Sequence, residues 1–159
     1  MKIWTPDEAY SRMADACSRA EYCASELRER MRRHGVGSAD ADAILRRLTE
    51  ARFVDDDRYA RAFVRQKAAA RWGRRKIAAA LAAKRIDRGV AAEAMEQISP
   101  DDYAAGLLAL LQAKARALGP DTAATYEGRT RLFRFAASRG FEIEAITAAV
   151  RQLKEQTLK

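Results

Sequence analysis

The apolar residues of this chain recur in one register three times, and this recurrence limits the folds that the chain can adopt. Shifting the sequence by 50 residues, and then by a further 55, aligns five apolar positions in three segments. The three sets are Leu27, Met31, Val36, Leu45 and Leu48, then Ile77, Leu81, Ile86, Met95 and Ile98, then Leu132, Ala136, Phe141, Val150 and Leu153. A fixed period of this length is typical of stacked units that bury their apolar faces on one another.

The local signals inside each period are helical. Pro6 followed by two acidic residues marks a helix start, Gly35 is placed for a left-handed helix end, and Ser38 and Asp40 offer N-caps for a third helix. Glycine and proline are scarce, with 8 and 3 among 159 residues, and no segment alternates apolar and polar residues over the length of a strand. We therefore predict an all-α protein of three tandem three-helix repeats, at residues 1–52, 53–99 and 100–159, stacked into an elongated, curved molecule.

The positive charge of the chain is confined to its middle. Residues 51–90 contain twelve Lys and Arg against four Asp and Glu, whereas residues 1–50 and 91–159 each contain nine of either sign, so the formal net charge of +8 arises in the middle segment. No acidic residue occurs between Arg58 and Arg85. Apolar spacing predicts one helix from about Asp57 to Ala70 and a second helix from Arg74, with Gly73 between them.

The segregated charge points to an anionic partner, because a basic patch attracts polyanions while neutral flanks add little. In the first of these two helices Arg58, Arg61 and Arg65 share one face, where their like charges cost stability unless something neutralises them. The alternative is an ordinary solvated face, although such faces usually mix both signs. The candidate partner-binding and DNA-binding residues are Arg58, Arg61, Arg65, Lys67, Arg71, Arg74, Arg75, Lys76, Lys84, Arg129 and Arg131.

No group of residues suggests catalysis, a metal site or a cofactor site. The triplet Asp55–Asp57 is interpreted as helix capping, and His34 has no paired nucleophile or carboxylate motif. Trp72 is interpreted as packing at the helix junction, with stacking on a base or on an arginine as the alternative. Cys17 and Cys23 fit no zinc spacing and are expected to be small buried or half-buried thiols. We therefore expect a protein that is not an enzyme.

Nothing in the sequence predicts a membrane-bound or exported protein. No apolar run approaches the roughly 20 residues that a membrane-spanning helix needs. The first two residues are not followed by the apolar core of a signal peptide. We expect a cytoplasmic protein that does not contact a membrane.

The order and spacing of several short motifs resemble the RecX family of bacterial recombination regulators across nearly the whole chain. The second repeat contributes most of them: Phe53-Val54-Asp55-Asp56-Asp57-Arg58-Tyr59-Ala60, Phe63-Val64, Gly73, Ile77, Leu81 and Lys84-Arg85-Ile86. Tyr22–Gly35 fits the first unit of the family, and Ala136–Phe141 fits its C-terminal element. The family usually has glycine in place of Arg85, so the helix end there is expected either to hold a strained left-handed arginine or to terminate differently.

The resemblance implies a fold of three three-helix repeats and a non-catalytic role in DNA repair, DNA recombination and the SOS response. It implies that the protein binds the filament of the RecA recombinase, lies along its groove, and dampens filament growth, ATP hydrolysis and strand exchange. Contact with DNA is expected to be weak and electrostatic, and the protein is expected to be a monomer without cofactors. The alternative is a stand-alone helical nucleic-acid-binding protein that acts through its basic middle unit.

Stacking three repeats in a row has a measurable consequence for the size of the protein in solution. A compact globule of this length has a radius of gyration of roughly 15 Å. We predict that small-angle X-ray scattering returns a clearly larger radius. A radius equal to that of a compact globule would contradict the stacked arrangement.

Overall fold

The computed structural model describes residues 2–158, and that part of the chain folds into nine α-helices and one short 3₁₀ helix without a β-strand. The α-helices are α1 (Pro6–Arg19), α2 (Ala24–Arg33), α3 (Ser38–Glu50), α4 (Asp56–Ala69), α5 (Arg74–Ala83), α6 (Arg88–Met95), α7 (Pro100–Leu118), α8 (Tyr126–Ser138) and α9 (Ile143–Thr157). The 3₁₀ helix, Thr122–Ala124, lies between α7 and α8. The all-α prediction is confirmed, and the two helices predicted for the basic stretch are found as α4 and α5.

Short polar side chains set several helix starts. Thr5 accepts a backbone N–H at 3.2 Å at the start of α1, and Ser99 accepts one at 3.3 Å at the start of α7. The prediction that Ser38 or Asp40 caps α3 is wrong, because the N-cap is Gly37, which has no side chain. Helix α3 begins at Ser38 itself, one residue earlier than an N-cap at Ser38 would place its start. Ser38 and Asp40 therefore both lie in the first turn of the helix.

Three helices at equivalent positions of the repeated register end in the same way. After α2, α5 and α8 one residue adopts a left-handed conformation, with φ 76° at Gly35, 57° at Arg85 and 92° at Gly140. The next residue is apolar each time and donates its N–H to the carbonyl five positions earlier, at 3.0, 3.1 and 3.2 Å. This pattern closes the helix end and returns an apolar side chain to the core. Arg85 therefore holds the strained left-handed conformation, which is the first of the two alternatives considered for it.

The chain divides into two compact units. The first unit comprises the described residues up to Ala62 together with Leu81–Ala91, and the second comprises Phe63–Ala80 and the described residues from Ala92 onward. Helices α4, α5 and α6 therefore contribute residues to both units. The division into three repeats ending at residues 52 and 99 stays a prediction.

Each unit has its own apolar core. In the first unit α1, α2 and α3 bury a cluster that includes Met13, Leu27, Met31, Ile44 and Leu48. In the second unit α7, α8 and α9 bury a cluster that includes Leu107, Leu111, Leu132, Phe141, Ile146 and Leu153. The apolar positions that align in the sequence are buried in the structure, except for three that are half-buried, namely Met95, Ile98 and Val150. The repeated register therefore marks residues that the fold removes from water.

A close backbone contact inside the second unit fixes the start of α5. Gly73 N donates to Arg139 O at 2.7 Å, and Arg75 N donates to Gly140 O at 3.0 Å. A Cβ atom added to Gly73 would lie 2.1 Å from the carbonyl carbon of Gly140, so only glycine permits this approach. The first turn of α5 is thereby held against the end of α8.

Because of this contact, we predict a large loss of stability when a single methyl group is added at Gly73. Gly73→Ala should lower the free energy of unfolding by about 2 kcal/mol or more, because the atoms that the new methyl group meets belong to the backbone and cannot rotate away. Urea denaturation measures this change. The control is Gly37→Ala, where an added Cβ meets no atom within 4 Å, and its effect should stay below about 1 kcal/mol. Equal losses in the two variants would contradict the importance of the contact.

Candidate binding surface

The predicted binding residues lie on three helices and on the residues that follow α4 and α5. Arg58, Arg61 and Lys84 belong to the first unit. The members in the second unit are Arg65, Lys67, Arg71, Arg74, Arg75, Lys76, Arg129 and Arg131. The contacts of each side chain show whether its charge is paired within the fold or remains exposed.

Arg58 is bound within the first unit. Its Nε donates to Glu21 Oε1 at 2.8 Å, and its Nη atoms donate to the carbonyls of Arg52 and Phe53 at 3.4 and 3.3 Å. Arg61, one turn further along α4, forms an exposed ion pair of 3.4 Å with Asp57. Arg58 thus joins the end of α3 and the loop after α1 to the start of α4, which is a structural role.

Lys84 is held at the start of α2. Its Nζ lies 3.0 Å from Glu26 Oε2, and its carbonyl accepts a hydrogen bond of 2.5 Å from Ser25 Oγ. Burial raises the pKa of Glu26, but hydrogen bonds from Cys23 N and from Lys84 outweigh burial and hold the pKa below its usual value. The hydrogen bond to Glu26 in turn raises the pKa of Lys84. Both groups therefore stay charged at neutral pH and neutralise each other.

Arg74 is bound within the second unit. Its backbone N donates to Tyr103 Oη at 2.9 Å, its guanidinium lies 4.1 Å from the centre of the Tyr103 ring, and its Nη1 lies 3.6 Å from Glu142 Oε2. Tyr103 Oη donates to Glu142 Oε1 at 2.5 Å. Burial, and then this hydrogen bond, raise the pKa of Tyr103, so the hydroxyl remains a donor. Arg74 is part of a network that fixes the start of α5.

Two ammonium groups lie over the indole ring of Trp72. The Nζ atoms of Lys67 and Lys76 lie 4.6 and 4.2 Å from the centre of the indole ring, and Phe63 meets the ring edge-on at 6.3 Å. The indole is half-buried. Cation–π attraction therefore holds both ammonium groups on one side chain, which concentrates positive charge there.

Seven of the predicted cations have no carboxylate at ion-pair distance within residues 2–158, and the side chains of five of them form no hydrogen bond there either: Lys67, Arg71, Arg75, Lys76 and Arg131. Of these five, all but Lys67 are exposed. Two further members of the set bond to neutral acceptors, since Arg65 donates to Gln97 Oε1 at 2.9 Å and Arg129 donates to Ala123 O at 3.1 Å. The positive charge that remains for a partner is thus concentrated around Trp72 and the first turn of α5, with Arg131 on α8.

The acidic triplet and the single histidine have structural roles. Asp55 Oδ1 accepts from Arg58 N at 3.1 Å, which confirms the capping interpretation, whereas Asp56 Oδ1 accepts from Ala24 N at 2.8 Å and caps α2 instead. The His34 ring stacks on Trp4 at 3.7 Å between centroids. In the part of the chain that the structure describes, no three His, Cys, Asp or Glu residues are grouped as metal ligands. No helix of that part is long and apolar enough to cross a membrane.

The sequence did not reveal which acids neutralise Arg58 and Arg74. Glu21 lies 37 residues before Arg58 and Glu142 lies 68 residues after Arg74, so no local spacing connects the partners. Only the fact that Glu142 immediately follows a buried aromatic residue, Phe141, indicated that it lies close to a core. These pairings depend on tertiary structure.

The neighbouring residues Arg74 and Arg75 provide a matched test of this division. Arg74→Ala should lower the free energy of unfolding by about 1 kcal/mol, because it removes a cation–π contact and a partly exposed ion pair. Arg75→Ala should change the free energy of unfolding by less than about 0.5 kcal/mol, since the side chain is exposed and unpaired. Thermal or urea denaturation of both variants checks the difference. A larger loss for Arg75→Ala than for Arg74→Ala would show that the roles are assigned wrongly.

Known proteins share both the sequence pattern and the fold described above. A family model described as "RecX, second three-helix domain" matches residues 55–95. The Regulatory protein RecX of Chromohalobacter salexigens is 32% identical over 140 residues, which cover 88% of this chain and 89% of the relative. The Regulatory protein RecX of one strain of Thermus thermophilus is 33% identical over 139 residues, which cover 87% of each chain.

The fold has a counterpart among solved structures. A crystal structure of RecX from Lactobacillus salivarius superposes with a TM-score of 0.82 at 18% sequence identity, and the match covers 93% of this chain and 96% of the other. A second crystal structure, of regulatory protein RecX, gives a TM-score of 0.81 at 21% identity, and the match covers 91% of this chain and 72% of the other. These two structures share the all-helical fold, and the relatives in sequence share most of the chain. The resemblance found in the sequence is confirmed, and the chain belongs to the RecX family of regulatory proteins.

Proposed function

We propose that this protein modulates filaments of the RecA recombinase, mainly as an inhibitor, and that it acts without catalysis of its own. It lies along the filament groove as a monomer and dampens filament extension, ATP hydrolysis and strand exchange. Membership in a family of regulatory proteins supports a role in controlling another macromolecule. The contacts are made by the five predicted cations whose side chains have neither an ion pair nor a hydrogen bond in the described part of the chain, namely Lys67, Arg71, Arg75, Lys76 and Arg131.

The observation that carries this proposal is the first turn of α5, which begins with three consecutive cations and contains no acid. The N-terminus of a helix is the positive end of its dipole, where each cation costs roughly 0.3–1 kcal/mol. Helices α1, α4 and α7 place acids at this position instead. Glu142 offsets part of the cost at Arg74, but Arg75 and Lys76 have no such partner among residues 2–158. Cations at the N-terminus of α5 lower the stability of that helix. Such a placement is consistent with a surface that binds an anion.

Side chains, and not the helix backbone, are expected to hold that anion. The N–H groups of Gly73, Arg74 and Arg75 already donate to acceptors within the second unit. They cannot bind an anion in the way that a free helix N-terminus does. The exposed guanidinium and ammonium groups of this turn remain available, and Lys67, which lies over the half-buried indole of Trp72, adds positive charge beside them.

A recombinase filament on DNA offers two anionic surfaces, the phosphate backbone and acidic patches on the protein. The two differ in their response to salt. Phosphate contacts release counterions, so the logarithm of the affinity falls with the logarithm of the salt concentration by about 0.9 per contact on duplex DNA and about 0.7 on single strands. We expect weak, strongly salt-dependent binding to bare DNA, and tighter binding to the filament with a component that salt does not remove.

Charge reversal at the unpaired positions of α5 tests the proposal. The double variant R75E/K76E should inhibit DNA-stimulated ATP hydrolysis by RecA at least tenfold less effectively than the parent, which corresponds to about 1.4 kcal/mol of binding. Arg74 is left unchanged because it is part of the network with Tyr103 and Glu142. The measurement is the concentration that gives half-maximal inhibition, at fixed salt and fixed DNA.

A second double variant controls for net charge. R46E/R116E changes the charge by the same amount at two exposed arginines without a carboxylate partner in the described part of the chain, and it should inhibit as well as the parent. Undiminished inhibition by R75E/K76E would refute the assigned surface. Inhibition that begins only when the protein covers the DNA would favour the stand-alone nucleic-acid-binding alternative.

A further inference from the structure

The second unit carries a groove between α8 and α9. Its lining runs from Tyr126 to Arg134 on α8 and from Thr147 to Lys154 on α9, at the spacings of three and four residues that place side chains on one helix face. The groove encloses about 550 Å³. From Tyr126 to Arg134, at a rise of 1.5 Å per residue, the groove is about 12 Å long, which corresponds to roughly two turns of an α-helix.

The floor of the groove is apolar. Phe133 and Val150 are half-buried and pack against the core of the second unit with one side of each side chain, so their other side faces the groove. Tyr126, at the end of the groove, is 78% exposed. An aromatic side chain left in water beside a concave apolar surface is typical of a protein contact site, where such residues act as anchors.

The rim of the groove is positively charged on both sides. Arg129 and Arg134 belong to α8, Arg151 and Lys154 belong to α9, and no acidic residue is among the lining side chains. Within residues 2–158 none of the four has a carboxylate at ion-pair distance, although Arg129 donates to a backbone carbonyl. Four unneutralised cations around an apolar floor are complementary to a ligand that is apolar on one face and acidic on its flanks.

We propose that this groove binds an acidic amphipathic helix of a partner protein. Apolar side chains at i, i+3 or i+4, and i+7 of that helix lie on Phe133, Val150 and Tyr126, and its flanking carboxylates meet the four cations. A protein helix fits better than a nucleic acid, because phosphates would use the rim but would leave the apolar floor in water. The inference goes beyond the role proposed for the basic stretch and needs neither DNA nor a recombinase for its test.

The test uses a designed peptide as the probe. A fluorescent helical peptide of about 14 residues, with leucine at i, i+3, i+4 and i+7 and glutamate at most other positions, should bind the protein in an anisotropy titration. A peptide of equal charge with glutamine in place of leucine should bind at least tenfold more weakly. In NMR spectra of the full chain, the leucine peptide should shift amide signals of α8 and α9.

Variants on the exposed rim and floor locate the site without disturbing the core. R134E/R151E should weaken the leucine peptide at least tenfold and Y126S about fivefold, while the matched variant R46E/R116E should change its affinity less than twofold. Three results would each overturn the proposal: no binding of the leucine peptide at millimolar protein, equal losses in the rim and control variants, or equal affinity for the leucine and glutamine peptides. A single-stranded oligonucleotide that binds more tightly than the peptide and loses affinity in Y126S would overturn it too, and would assign the groove to nucleic acid.

Discussion

The position of the unneutralised charge in this protein depends on one close backbone contact inside the second unit. Gly73 and Gly140 meet so closely that a Cβ on either would overlap backbone atoms of the other segment, and two hydrogen bonds join the start of α5 to the end of α8. Close approach of this kind requires glycine on both sides. It leaves Arg75 and Lys76 in the first turn of a helix whose dipole they oppose. The backbone contact therefore fixes where Arg75 and Lys76 lie on the helix, and only the conformations of their side chains remain to be set.

Three cations of the basic stretch stabilise the fold itself. Arg58, Arg74 and Lys84 each pair with an acid that lies far away in the sequence, and each fixes the beginning of a helix. These cations show that part of a dense positive segment stabilises the fold itself. A protein that bound its partner through all of its basic residues would have to break these links between helices each time the partner bound. Keeping the two sets separate lets the unpaired set be exposed while the paired set keeps the helices in place.

Much of the architecture could be predicted because helices are specified by local signals. The spacing of apolar residues predicted both bounds of α4 and the start of α5 to within a residue, and the register of 50 and 55 residues identified positions that are buried or half-buried. The helix end at Gly35 was predicted from glycine alone, but the left-handed Arg85 was only one of two possibilities. Its geometry follows from the apolar residue after it, Ile86, whose N–H closes the helix end and whose side chain is buried. Burial of that side chain offsets the strain, which no local rule predicts.

The sequence by itself determined the fold class, the helix positions, the confinement of the positive charge to residues 51–90 and membership in the RecX family, because each depends on the order of residues along the chain. Tertiary structure alone decided which cations are neutralised, because Glu21 and Glu142 reach their partners only when segments far apart in the sequence pack together. It also decided that Tyr126, Phe133 and Val150 line one groove, although they belong to two helices. Charge and periodicity can be determined from the order of residues along the chain. Ion pairs and grooves depend on distances between residues that meet only after folding, and the sequence does not contain these distances.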